Sequence, residues 1–233
     1  MGQFAAAVLL ALAAGSAPQT VPFAEDEVLN YSVNWPSGLS LGECEMSAKM
    51  TRDAQGAAVQ WRFEFRLDAA VPGYAVRDHF VSIATPALCS LRLEKSAMHG
   101  RRTAKETTVF DVGAGIAHRE TAGGGKSEIP IGQCPRDALT FLYFLRAELS
   151  QGRLPPPQKV FLGAEYEIRL RYLGTKQVRL DDTIQTADQI SAQVKGPVAE
   201  HTFELLIGQE EARRPLRITV PLELGSFSMD LLP

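Results

Sequence analysis

Three cysteines, Cys44, Cys89 and Cys134, are the side chains best suited to covalent or metal chemistry in this chain of 233 residues. A metal centre would need them, or histidines, at close ligand spacing, and the chain has no C-x-x-C and no paired histidines. Pairing as a disulfide is the chemistry that remains. Cys89 stands at the start of a predicted strand and Cys134 immediately before a predicted helix, so a Cys89–Cys134 bridge would pin that helix to a sheet. Disulfides of this kind belong to exported chains. Three free, buried thiols are the alternative. Cys44 shares a strand face with Met46, Ala48 and Met50, which predicts a buried, inert thiol.

Other motifs fall short of the chemistry they suggest. Gly123-Gly124-Gly125-Lys126-Ser127 resembles the end of a phosphate-binding loop, but that loop needs a glycine where Glu120 stands. A hairpin tip is the better reading. No G-x-S-x-G turn offers a nucleophilic serine. His79, His99, His118 and His201 are scattered, each read as a surface or strand residue. Asp181 and Asp182 are adjacent on a predicted strand and point to opposite faces, so they cannot flank one glycosidic bond. Glu25-Asp26-Glu27 reads as solvated charge before the first strand. The Gly-rich turns join strand to strand, which excludes a dinucleotide fingerprint. No catalytic residue, cofactor or metal ligand is therefore expected.

The elements that would position any site alternate with period two, the mark of strands buried on one face. Val59 to Asp68 is the clearest case, with Trp61, Phe63, Phe65 and Leu67 on one face. Leu29–Trp35, Tyr166–Tyr172, Leu216–Val220 and Phe227–Leu231 repeat it. Weaker strands are predicted near 39–50, 74–84, 88–98, 102–112, 115–121, 176–186, 188–195 and 199–207. Short links such as His99-Gly100 and Gly113-Ala114-Gly115 favour an antiparallel meander. Residues 150–158 form a stiff, Pro-rich crossover.

One segment breaks the alternation. Pro135 to Leu149 reads as a helix, with Pro135 in its first turn, Asp137 at its positive end and Gly152 as the stop. Leu139, Phe141, Leu142, Phe144 and Leu145 cover most of its circumference, leaving an arc of Thr140, the Tyr143 hydroxyl and Ala147 to face water. Burying five such side chains contributes about 1.5–3 kcal/mol each, and a flat sheet can cover only one side. The expected fold is therefore mainly β: a strongly curved antiparallel sheet, or half-open barrel, wrapped around one apolar helix. Trp35, Trp61, Phe63, Phe141 and Phe144 could line a cavity in the concavity, or could simply fill a closed core.

Residues 1–17 carry an apolar run of signal-peptide length ending in small residues, with cleavage expected near Ser16 or Ala17. A buried N-terminal helix or strand is the alternative. The run is short for a membrane span, and no later segment is long and apolar enough to be one. Residues 18–233 fit one domain. A net charge of −3 gives no electrostatic case for nucleic acid or anionic lipid. The best basic cluster, Arg92, Lys95, His99, Arg101, Arg102 and Lys105, is interleaved with Glu94 and Glu106 and reads as a solvated hairpin face.

Four stretches, in order, resemble the bacterial DUF3108 family. Leu29-x-Tyr31-x-Val33-x-Trp35, followed by Gly38 and Gly42, resembles its opening. Arg136-Asp137-Ala138-Leu139-x-Phe141-Leu142-Tyr143-Phe144-Leu145-Arg146 is similar to its central helix. Gly163-x-x-Tyr166 and Ala212-Arg213-Arg214-Pro215-Leu216 are similar to its later strands. The resemblance covers roughly residues 25–232 and implies an exported envelope protein, with no activity or site residues to carry over. The expected function is a non-catalytic periplasmic module that binds a lipid or other apolar ligand around the helix, by fold-level analogy with LolA-like lipoprotein carriers. The alternatives are an envelope assembly factor that binds a partner protein, and an exported hydrolase built from scattered residues.

Overall fold

The computed structural model describes residues 20–71, 73–180, 182–197, 199–222 and 225–233; the N-terminal apolar run and Asp181 lie outside them. The strands are β1 (Asp26–Asn34), β2 (Ser40–Arg52), β3 (Ala58–Val71), β4 (Tyr74–Ala84), β5 (Ser90–His99), β6 (Arg102–Asp111), β7 (Ile116–Thr121) and β8 (Lys126–Pro130). After the helix α1 (Ala138–Ser150) come β9 (Gln158–Phe161), β10 (Glu165–Leu180), β11 (Thr183–Lys195), β12 (Glu200–Gly208), β13 (Pro215–Leu222) and β14 (Gly225–Leu231). They form one antiparallel sheet in the order β8-β7-β6-β5-β4-β3-β2-β1-β14-β13-β12-β11-β10-β9. The chain thus lays down one wing, crosses through α1, and returns along the other wing until β14 pairs with β1.

Alternation puts the expected residues inward. Leu29, Tyr31 and Val33 of β1 are buried, as are Trp61 and Phe63 of β3. The prediction of separate strands around Gly174 is corrected. β10 runs unbroken to Leu180 with an irregularity between Tyr172 and Gly174, and Asp182 sits in the β10–β11 turn. The long alternating ladder carries the strand through a glycine that a local reading takes for a turn. The Gly123–Gly125 segment is the β7–β8 hairpin tip, with Glu120 opposite Lys126. Gly42 has a clear steric role: a Cβ there would lie 2.0 Å from the Asp68 carbonyl oxygen, so β2 and β3 could not approach as they do.

The sheet must curve because α1 touches both wings. Phe141, Leu145 and Leu149 pack with β1, β2 and β10–β14, while Leu139, Tyr143 and Ala147 pack with Trp61, Phe63, Ala84 and Phe23. The edge strands β8 and β9 do not pair. Side chains close the seam instead: Phe110 and Phe161 meet edge-to-face at 5.4 Å within a cluster that includes Leu93 and Ala117. The segment before the helix fills the remaining gap, its Pro135 carbonyl accepting from Ser90 N–H at 2.8 Å and its Arg136 carbonyl from Phe161 N–H at 3.0 Å.

The helix begins three residues later than Pro135. Asp137 is extended and is the N-cap, its Oδ1 accepting from the Leu139 and Thr140 amides at 2.9 and 3.0 Å. Its Oδ2 accepts from the hydroxyls of Ser82, Ser90 and Thr140, and Ser90 Oγ in turn accepts from Asp137 N–H. This fully buried carboxylate is thus surrounded by donors, as burial requires. Next to it, Cys89 and Cys134 form a disulfide across a sequence separation of 45 residues. In the chain-entropy model such a loop stabilises by about 4 kcal/mol.

The arc of Thr140, Tyr143 and Ala147 does not face water; all three are buried. Phe23, from the segment before β1, lies over it with ring centroids 4.9 Å from Tyr143 and 5.0 Å from Trp61, and Phe63 stacks on Tyr143 at 4.1 Å. Arg146 is buried in the same cluster, over the Phe23 and Tyr143 rings. It donates to both Glu27 carboxylate oxygens at 2.6 and 2.7 Å and to the carbonyls of Ala212 and Arg213. Glu27, expected as solvated charge, is instead this buried partner. Removing one member of such a pair strands the other, at a cost of about 3–5 kcal/mol. Arg146→Met should therefore lower the free energy of unfolding in urea by that amount, and Glu27→Gln should be less damaging in the Arg146→Met background than in wild type. Additive losses would show that the pair is not coupled.

Candidate functional site

Hairpins of an antiparallel sheet alternate between two rims. The β1–β2, β3–β4, β5–β6 and β13–β14 connections share one rim; β2–β3, β4–β5 and β12–β13 share the other. Helix α1 lies toward the second rim, where Asp137 meets Ser90 and Arg146 meets residues 212–213. Between the helix and the sheet, toward the first rim, lies an apolar lumen. One chamber of about 260 Å³ is lined by Phe141, Leu142 and Leu145 of α1, facing Phe65, Phe80, Ala192, Phe203 and Ile218 among others, every lining residue being apolar. A second chamber of about 170 Å³ is lined by Val33, Leu41, Leu67, Ala69, Val76 and Phe227 among others. Val220 and Met229 belong to the walls of both.

The second chamber adjoins a wider depression at the first rim. The two share Ala70, Val71 and Tyr74, and the depression continues over His99, Gly100, Arg101 and Arg102. Apolar walls thus line the sheet from the helix to the β3–β4 and β5–β6 hairpins, each depression sharing residues with the next.

Of the five aromatics expected at a cavity, the structure places Phe141 on its wall. Trp61 and Phe63 instead stack in the closed cluster with Phe23 and Tyr143. Helix periodicity names apolar faces but not which face meets a void, and the N-terminal segment covers this one. Trp35 is half-buried at the open rim, edge-to-face on Phe227 at 4.7 Å. Phe144 is half-buried beneath the Arg136 guanidinium, 3.6 Å from its ring centroid. Burial pushes the Arg136 pKa down to about 10. The lining residues missed in the sequence, such as Phe80, Phe203 and Ala192, sit on strands whose inward face is legible but whose distance from the helix is not.

The polar candidates disperse. His79 is hydrogen-bonded to Glu64 at 2.6 Å on the outer face, His99 to Asp78 at 2.9 Å at the open rim, and His118 pairs with Glu128 at 3.4 Å. His201 lies beside Phe203. Among the described residues, none of the four is hydrogen-bonded to a serine, threonine or cysteine, and no cluster could hold a metal ion. The basic hairpin cluster divides. Arg92 pairs with Glu94, and Lys95 with Glu106, which Arg119 also holds. Arg101, Arg102 and Lys105 have no carboxylate partner among the described residues. No helix among those residues is long and apolar enough to cross a membrane.

An open antiparallel barrel with one internal helix and an apolar lumen defines a β-barrel-like protein. The chain belongs to the DUF3108 family, a family of proteins of unknown function whose model matches residues 30–232. Among solved structures it is similar to a beta-barrel-like protein of the DUF1849 domain of unknown function from Brucella abortus. The TM-score is 0.63 at 8% identity, over 90% of this chain and 97% of that one. At that identity the likeness concerns the fold alone. No curated protein matches the chain.

Cys44 lies in the wall packed around the helix, beside Tyr31 and Met46. Burial pushes its thiol up to about 12, so almost no thiolate exists near neutral pH. A thiol reagent at pH 8 should leave the native protein unmodified and titrate one thiol per chain after denaturation without reductant. Three thiols would refute the Cys89–Cys134 bridge.

Proposed function

We propose that this chain is a non-catalytic, exported module of the cell envelope that holds an apolar or amphipathic ligand between α1 and the sheet. The observation that carries the reading is the lumen, two adjoining, solvent-reachable chambers with almost wholly apolar walls that share Val220 and Met229, beside a core that closes on itself. Apolar walls of this kind, left facing water, cost about 25 cal/mol for each Å² they expose. A ligand recovers about 0.8 kcal/mol for each methylene it buries. Export is supported by the disulfide and by the signal-like composition of residues 1–17.

Binding a partner chain by strand addition receives less support. The two edge strands have five and four residues, and β8 ends in Pro130, which cannot donate to a ladder. Hydrolysis receives less still, because the four histidines are spread over separate surfaces.

Native mass spectrometry of the purified protein, with organic extraction of any bound species, tests the reading directly. The neutral fluorophore N-phenyl-1-naphthylamine should bind the lumen. In Leu142→Gln, a change to a polar side chain of similar size at a half-buried position on the wall, its affinity should fall at least fivefold while thermal unfolding moves little. For a series of neutral alkyl alcohols, each two added methylenes should tighten binding about tenfold until the lumen is full. An empty extract together with no probe binding would sink the proposal.

A further inference from the structure

We infer that the ligand of this lumen is an anionic amphiphile with a long acyl tail, its charged head read by Arg101 and Arg102 at the open rim. This rests on the lumen being a ligand site and adds the chemical class of what fills it. The first observation is adjacency: Val71 and Tyr74 wall both the inner apolar chamber and the outer depression that carries His99, Arg101 and Arg102. A ligand occupying both would have its tail beside Val220 and Met229 and its head among cations.

The second observation is charge. On the inward-alternating face of the rim, His99 lies opposite Arg102 on β6 and opposite Val76 on β4. Asp78, at the rim on that face, is hydrogen-bonded to His99 at 2.9 Å, and Glu106, deeper on the same face, is held by Lys95 and Arg119. The acidic groups nearby on the outer face are also engaged, Asp68 with Arg77 at 3.1 Å and Glu94 with Arg92 at 2.8 Å. Arg101 and Arg102 are exposed and have no carboxylate partner among the described residues. Two exposed guanidiniums without a bound carboxylate, against the single nearby Asp78, leave a net positive rim beside the apolar chamber and match a carboxylate or phosphate head, which arginine binds through paired N–H donors. A neutral or cationic head would leave that charge unmatched.

The third observation is length. From Val71 at the rim to Phe65 opposite the helix, β3 advances six residues, about 20 Å at the usual strand rise. A tail following this wall would be a long acyl chain, ending against Phe141, Leu142 and Leu145.

The test displaces N-phenyl-1-naphthylamine from the protein with hexadecanoate, hexadecanol and hexadecyltrimethylammonium, which share one tail and differ in head charge. Hexadecanoate should bind about tenfold more tightly than hexadecanol, and the preference should shrink at high salt. In the double variant Arg101→Gln/Arg102→Gln the two should bind within twofold of each other, with the hexadecanol affinity unchanged. Equal affinities in the wild type, or a preference that survives the double variant, would overturn the inference and leave the lumen reading intact. No displacement by any of the three would instead defeat the lumen reading itself. Adding 1-palmitoyl lysophosphatidylglycerol distinguishes the source of the anion. Tighter binding than hexadecanoate assigns a phospholipid-derived head, and weaker binding a free fatty acid.

Discussion

The burial of two charged side chains on one helix is the constraint on which the remaining structure depends. Arg146 is buried within α1, and Asp137 is buried as its N-cap. Each would be prohibitively costly unless the surrounding chain supplied partners of the right geometry. Asp137 finds them on β4 and β5 and in its own first turn; Arg146 finds Glu27 on β1 and two carbonyls between β12 and β13. Elements more than a hundred residues apart are thereby tied to one helix. Arg213, at φ 50°, holds a backbone conformation that non-glycine residues seldom adopt, and its carbonyl is one of those Arg146 requires.

These anchors also set which way the helix faces. With its polar groups and the Phe23 cluster committed toward the second rim, α1 presents Phe141, Leu142 and Leu145 to the interior of the barrel. The apolar lumen is thus a consequence of how the polar groups are satisfied. The disulfide reinforces the arrangement at the point where the chain enters the helix, one residue before the Ser90 that binds Asp137. The edge strands β8 and β9 need not pair with each other, because Phe110 against Phe161 and the segment before the helix, hydrogen-bonded to Ser90 and Phe161, fill the seam.

Much of this was legible before any coordinates. Period-two alternation locates most strands within a few residues, and a helix apolar nearly all round can be buried only by a curved sheet. The positions of Cys89 at a strand start and Cys134 at a helix start suggested their pairing, with three free thiols as the alternative, and the structure holds the bridge. Gly174 misled, since a glycine inside a long ladder and a glycine at a turn look alike locally. Thr140 and Ala147 misled in another way: their small or polar side chains suggested water, whereas they make room for Phe23 and for the Asp137 network. The basic residues at 92–105 looked uniformly solvated because sequence lists Glu94 and Glu106 beside all of them. Only strand register shows which cation each carboxylate neutralises.

By itself, then, the sequence determined the periodicities and the all-round apolarity of one helix, because each depends on residues near in the chain or on a repeat that local counting detects. It proposed the Cys89–Cys134 pair, which the tertiary structure then chose over three free thiols. Tertiary structure alone decided that Arg146 lies against Glu27, that Trp61 and Phe63 close a core while Phe80 and Phe203 line a space, and that Arg101 and Arg102 stand unpaired at its mouth. Those outcomes turn on distances between residues far apart in sequence. Burial then sets the stakes, for it makes a paired charge structural and an unpaired one at a rim free to meet something else.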